Sequence, residues 1–212
     1  MSSQLSHIHR FEPAGETPGP PLLLLHGTGG DENDLIALGR TVAPQSALLS
    51  PRGKVLENGA PRFFRRLAEG VFDEDDLRQR AGELAAFIAE ARQAYSIDPP
   101  VALGFSNGAN IAAALLLLHP DALAGGALLR AMVPLKSPPQ PDLAGKPVLI
   151  LSGKMDPIIP AENAGRLAAL LGERGAGVDH RTLPAGHGLT EADVSIVQEW
   201  LAWLSSSADS RS

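Results

Sequence analysis

The chain has 212 residues, no cysteine, 44% apolar and 20% charged residues, and a formal net charge of −6. That length suits one domain with a self-sufficient core, expected to span residues 1–212. The missing cysteine excludes a disulfide framework, a thiol nucleophile and thiolate metal sites, and the acidic balance argues against nucleic-acid binding. Residues 1–12 lack the apolar core of a signal peptide. The greasiest run, Ile111 to Leu118, has only eight residues and is too short to span a bilayer. A cytoplasmic protein without membrane insertion is the expectation.

In chain order, an alternating N-terminal segment places His7 and His9 on one strand face, at surface or edge positions. Leu22 to Leu25 reads as a strand covered on both faces and runs into His26-Gly27-Thr28-Gly29-Gly30. A short strand, Ala47 to Leu49, stops at Ser50-Pro51. Pro51 to Gly70 reads as a loop centred on Arg62-Phe63-Phe64-Arg65-Arg66. Leu77, Ala81, Leu84, Ile88, Ala91 and Tyr95 recur at helical spacing behind the acidic Asp73 to Asp76, a favourable helix start. The strand Val101 to Phe105 precedes a helix, Asn107 to Leu118, that is apolar nearly all round and therefore central. Further strands are expected at Ala124 to Leu129, Pro147 to Leu151 and Val178 to Leu183, and further helices at Glu162 to Glu173 and from Val194 to Leu204. Pro134 to Gly145 reads as an irregular connection, and residues 205–212 as a frayed serine-rich tail. Such alternation indicates an α/β fold with a mainly parallel central sheet and helices on both faces.

Gly104-Phe105-Ser106-Asn107-Gly108 matches the G-x-S-x-G nucleophile elbow, and here a strand enters it and a helix leaves it, as the turn requires. A serine hydroxyl needs a base. His187, in Gly186-His187-Gly188 after the last strand, lies where parallel sheets put their sites. Asp156, just beyond the strand Pro147 to Leu151, is the carboxylate to orient that imidazole. The order Ser106, Asp156, His187 is that of α/β-hydrolases. Oxyanion donors are expected from the backbone N–H groups of Asn107 and Thr28, with His26 a structural loop residue. The glycines after Leu25 fit neither the P-loop spacing nor a complete G-x-G-x-x-G. His119 reads as a helix C-cap and His180 as a strand residue without a catalytic part.

The segments Leu25 to Glu32, Ser50 to Gly53, Gly104 to Ala109, Gly153 to Pro157 and Gly186-His187 resemble the phospholipase/carboxylesterase family of small α/β-hydrolases, which includes acyl-protein thioesterases and bacterial carboxylesterases. Arg62 to Arg66 followed by Gly70-Val71-Phe72-Asp73 looks like the bacterial carboxylesterase branch. The resemblance implies an α/β-hydrolase fold with Ser106 as nucleophile, His187 as base, Asp156 as acid and the Thr28 and Asn107 amides as oxyanion donors, with no cofactor and no metal. Gly188 departs from the larger polar residue expected after the histidine. A chain of this length leaves no room for an inserted cap domain, so the expected substrate is a small-molecule ester, with acyl thioesters or lysophospholipids as alternatives for the same triad. A non-catalytic small-molecule-binding protein on this scaffold is the rival class. Phe63 and Phe64 are candidates to line the acyl pocket and Arg65 to meet an anionic group. Aromatics anchoring the loop, with arginines facing water, is an equally good reading. A homodimer is the expectation for oligomeric state.

Overall fold

A computed structural model describes residues 5–209. Seven strands form one sheet in the order β1 (His9–Glu12), β3 (Leu48–Pro51), β2 (Leu22–Leu25), β8 (Val101–Phe105), β9 (Gly125–Leu129), β10 (Pro147–Gly153) and β11 (Gly177–Leu183). Only the edge strand β1 is antiparallel to its neighbour. Successive side chains on a strand point to opposite faces, so the unbroken leucines of β2 serve two cores at once. Leu23 and Leu25, with Ala102, Leu128, Val148 and Ile150, pack against helices α2 (Glu74–Tyr95), α3 (Asn107–Leu118) and α4 (Ala161–Gly172). Leu22 and Leu24, with Val101, Leu103, Ala127, Leu129, Leu149 and Leu151, pack against α1 (Ile36–Val42) and α5 (Glu191–Asp209).

This arrangement dictates where a crevice can form. Strands β2 and β8 are adjacent and parallel, yet β2 leads to α1 on one face and β8 leads to α3 on the other. The chain therefore diverges at their carboxyl ends, which is the switch point where open α/β sheets bind ligands.

Several elements differ from the sequence reading. Helix α1 was not expected: it is seven residues long, its N-cap Leu35 makes no side-chain capping bond, and it owes its place to burying Ile36, Gly39 and Val42. The segment from Pro51 to Gly70 is not a plain loop but holds two hairpins, β4 (Val55–Glu57) with β5 (Ala60–Arg62) and β6 (Arg66–Ala68) with β7 (Val71–Phe72). Its first turn is Asn58-Gly59, both at positive φ, the pair that two-residue hairpins favour. Helix α5 continues to Asp209, through serines expected to fray. Ser205 Oγ donates to the Leu201 carbonyl, and Ser206 and Ser207 donate to that of Trp203. Residues 210–212 of that expected tail lie outside the described residues. At its other end α5 is capped reciprocally, since Thr190 N–H donates to Asp193 Oδ2 at 2.8 Å and Asp193 N–H to Thr190 Oγ1 at 3.4 Å. Among the described residues no helix is long and apolar enough to cross a membrane.

His7 is the other departure. It is 7% exposed, with its ring 4.7 Å from that of Phe87 on α2, rather than on the surface. His9 beside it meets the Tyr95 hydroxyl at 2.6 Å, and Tyr95 stacks on Phe11. Burial, helped by the nearby Lys54 charge, pushes the His7 pKa from 6.5 down to about 4. Between those values the unfolded chain binds a proton that the folded chain refuses, so stability rises with pH across this window and is complete above it. The interval corresponds to about 3 kcal/mol at most. His26 and His180, also lowered by burial, act in the same direction. Urea unfolding at pH 7, 5.5 and 4.5 is expected to show stability falling steadily, and His7→Phe is expected to flatten part of that slope. An unchanged slope in the variant would mean that folding does not lower the His7 pKa.

Candidate active site

Strand β8 ends at Ser106, whose backbone lies at φ 52° and ψ −112°, in the positive-φ region that non-glycine residues avoid. Two hydrogen bonds hold it. Ser106 N–H donates to the Leu129 carbonyl at the end of β9, and the Ser106 carbonyl accepts from Asn110 N–H in the first turn of α3, both at 2.9 Å. The flanking glycines permit the approach of α3. A side chain at Gly104 would strike the Gly108 and Ala109 backbone, and one at Gly108 would strike the carbonyls of Leu25 and His26. Gly108 thereby seats the end of β2 directly against the start of α3.

The loop after β2 is fixed in turn. His26 is 1% exposed: its Nδ1 meets the Gly27 carbonyl at 2.7 Å, and its Nε2 accepts from Gly53 N–H at 3.0 Å. A carbonyl can only accept and an amide can only donate, so both bonds require the neutral Nδ1–H tautomer. That agrees with burial lowering its pKa and leaves His26 no part as a base near Ser106. Gly29 N–H donates to the Pro61 carbonyl at 2.9 Å, and Phe63 N–H to Asn107 Oδ1 at 2.7 Å. The segment from Pro61 to Phe63 therefore ties the glycine loop to the elbow. Among the described residues neither Thr28 N–H nor Asn107 N–H has a hydrogen-bond partner, and Asn107 opens α3, where backbone donors are unsatisfied by the helix itself.

The other two residues arrive on loops after β10 and β11. Lys154 N–H donates to the Leu183 carbonyl at 2.8 Å and Met155 N–H to the Ala185 carbonyl at 3.0 Å, which stitches these loops together. His187 Nε2 stands 3.0 Å from Ser106 Oγ, and His187 Nδ1 stands 2.8 Å from Asp156 Oδ2. The Asp156 side chain is 1% exposed and that of His187 21%. Burial raises the Asp156 pKa, but amide bonds from Ile159 and Ile158 to Oδ1 and the bond from His187 outweigh it and leave it below the usual carboxylate range. An ionised carboxylate only accepts, so the imidazole proton sits on Nδ1 and the Nε2 lone pair faces the serine hydroxyl.

The structure thus brings together Ser106, Asp156 and His187, with Thr28 and Asn107 on the segments around them. It does not bring Phe63, Phe64 or Arg65 to an open pocket. Phe63 is 3% exposed and packs on the His26 ring, and Phe64 is fully buried edge-on to Phe72. Arg65 points outward and pairs with Asp73 at 2.9 Å. These residues brace the site instead of lining it. His119 caps α3 through its N–H to the Leu115 carbonyl, and His180 meets Ser152 Oγ inside the sheet. The sequence reading passed over Asn110 and Asn163. Their Oδ1 atoms accept from Met132 N–H and Val133 N–H and so hold the chain that leaves β9. An asparagine one turn into the apolar helix Asn107–Leu118 was the available signal for the first of them. Among the described residues no group of three or more His, Asp or Glu side chains converges as a metal site would.

Comparison with known proteins agrees with this geometry. Residues 20–145 match the family described as alpha/beta hydrolase fold. The chain is 48% identical over 181 residues to "Putative hydrolase MhqD" of Bacillus subtilis (strain 168), covering 84% of this chain and 90% of that protein. The crystal structure of the Bacillus cereus carboxylesterase superimposes with a TM-score of 0.90 at 45% identity over 96% of both chains. A carboxylesterase from Mesorhizobium loti gives 0.88 at 35% identity over 94% of this chain and 96% of its own. On its fold, its converging strand-end loops and these relatives, the chain belongs to the alpha/beta hydrolase family and is a hydrolase.

Proposed function

We propose that the chain is a serine carboxylesterase that cleaves small carboxylic esters through an acyl-enzyme on Ser106. The observation that carries this reading is the continuous relay from the Asp156 carboxylate through the His187 ring to Ser106 Oγ, at 2.8 and 3.0 Å. In the first half-reaction Ser106 Oγ attacks the ester carbonyl while its proton passes to His187 Nε2. The oxygen that becomes negative is met by the free N–H groups of Thr28 and Asn107, the second of them favoured by the N-terminus of α3. Collapse of the tetrahedral adduct breaks the carbonyl–alkoxy bond, and the imidazolium returns its proton to the departing alcohol. Water then enters and loses a proton to His187. Its oxygen attacks the acyl-enzyme, and the carboxylic acid leaves as Ser106 recovers its proton. Asp156 stays ionised throughout, holding the Nδ1–H tautomer and offsetting the positive charge of the imidazolium. The carboxylesterase titles of the Bacillus cereus and Mesorhizobium loti structures support the ester assignment.

Fluorophosphonate labelling with mass mapping, beside a chain-length series of p-nitrophenyl esters, tests this directly. A single adduct on Ser106 with fastest turnover of short esters is expected. An adduct without ester turnover would transfer the reading to thioesters or lysophospholipids, and no adduct would point to a non-catalytic binding protein. Ser106→Ala is expected to abolish labelling and lower kcat by about 10⁶-fold, whereas Asp156→Asn should lower it by about 10⁴-fold with labelling slowed but detectable. Wild-type kinetics in Asp156→Asn would assign the orienting carboxylate elsewhere. Gly108→Ala places a methyl group against the Leu25 and His26 carbonyls and is expected to cost both soluble yield and activity, measured by thermal unfolding and ester turnover.

A further inference from the structure

Arg130 follows β9 directly and is the largest side chain with no exposure to solvent. Its backbone lies at φ 59°, a conformation that a bulky residue adopts only when its surroundings enforce it. All five guanidinium N–H groups are used. Nη1 and Nη2 form a bidentate pair with Asp193 Oδ1 and Oδ2 at 2.7 and 2.9 Å. Nη1 also reaches the Leu151 carbonyl at 3.3 Å, Nε donates to the Gly186 carbonyl at 2.9 Å, and Nη2 to the Gly188 carbonyl at 3.1 Å. An ion pair needs only the carboxylate. Of the three remaining bonds, two fall on the residues that flank His187.

Backbone bonds through Leu183 and Ala185 hold the start of the loop that carries His187, and beyond them the two glycines depend on Arg130. The glycine on either side supplies no side chain, and a Cβ at Gly188 would meet nothing within 4 Å. Glycine flanks also give the backbone its widest conformational range. At the other side of the same short segment, the Leu129 carbonyl accepts the N–H of Ser106 at 2.9 Å. Leu129 and Arg130 are adjacent, so two consecutive residues hold the serine and the histidine.

We propose that Arg130 is a positioning residue for His187: anchored on Asp193, its fork grips the carbonyls of Gly186 and Gly188 and, with Leu129 on Ser106, sets the separation of Nε2 from Oγ. This rests on the reading of His187 as the base. The left-handed turn at Arg130 is what lets one residue pair face both loops. A lysine in its place would keep the charge on Asp193 but, as a point donor, lacks the fork that spans both carbonyls.

The test compares Arg130→Lys with the double variant Arg130→Met/Asp193→Leu, which removes the buried pair with apolar groups of similar size and so leaves no charge stranded. For each, kcat and KM for p-nitrophenyl acetate, the fluorophosphonate labelling rate and the Tm are measured. Both folded variants are expected to lose about 100-fold in kcat and in labelling rate, the scale of a misplaced catalytic group, while KM stays within about twofold. Restoration of kcat by lysine would overturn the proposal, since a pair needed only for stability is rescued by its charge. If Arg130→Lys does not fold, the double variant decides, and wild-type kcat there overturns the proposal equally. Failure of the underlying reading looks different: the wild-type protein itself would then carry no adduct on Ser106.

Discussion

The backbone of Ser106, at φ 52° and ψ −112°, carries a conformational cost of about 1–3 kcal/mol, and the neighbouring elements are arranged so that it cannot relax. Its N–H is committed to β9 and its carbonyl to the first turn of α3, so turning the residue into an ordinary conformation would break both bonds in a buried setting. The same turn projects Oγ away from the sheet edge, toward the loops after β10 and β11. It also swings α3 back until Gly108 touches the end of β2. One strained residue therefore fixes two consequences at once: the direction of the hydroxyl and the closeness of the glycine loop that holds Thr28.

Two buried carboxylates stand on either side of the His187 loop, and their surroundings assign them different work. Asp193 faces a full countercharge in Arg130 and further bonds from Thr190, so although burial raises its pKa the balance lies downward and the pair is close to neutral. It is a fixed anchor. Asp156 is ionised without any lysine or arginine beside it among the described residues, stabilised by the amides of Ile158 and Ile159 and by a neutral ring. In the proposed mechanism its charge is left uncompensated until a proton reaches His187. The attraction that then develops exists in the charged state and hardly at all in the resting one, which is the condition for an interaction to lower a barrier and not merely to tighten binding.

Ser106, Asp156 and His187 were legible because each lies on a loop at the carboxyl end of a strand, and strands buried on both faces announce themselves as unbroken apolar runs such as Leu22 to Leu25. Phe63 and Phe64 stayed between two readings because an aromatic pair looks the same in sequence whether it lines a pocket or packs under a loop. The burial of both rings, against His26 and Phe72, distinguishes the two. His7 looked like a residue of an exposed edge because nothing local reveals that Phe87, eighty positions later, covers its ring. Arg130 was invisible for the same reason. An arginine after a strand is ordinary, and its meaning comes from Asp193, sixty-three residues away, and from the carbonyls of a loop between them. What failed to show in the sequence is long-range and polar, whereas the apolar periodicity that builds the layers is local.

Among the described residues no cap domain interrupts the order of strands and helices, and this carries its own demand. Residues 154–160 form the whole connection between β10 and α4, and Met155 and Ile158, to either side of Asp156, are 64% and 40% exposed. His187 itself keeps 21% of its side-chain surface in contact with solvent. In the proposed mechanism, solvent reaching this ring supplies the nucleophile for deacylation, but it also screens the charges that a closed site would amplify. An open hydrolase of this kind must rely on donors and bases already in place rather than on a lid that assembles them. The density of backbone bonds around the loops of Thr28, Asp156 and His187, and the buried arginine beneath the last of them, is the structural form that reliance takes.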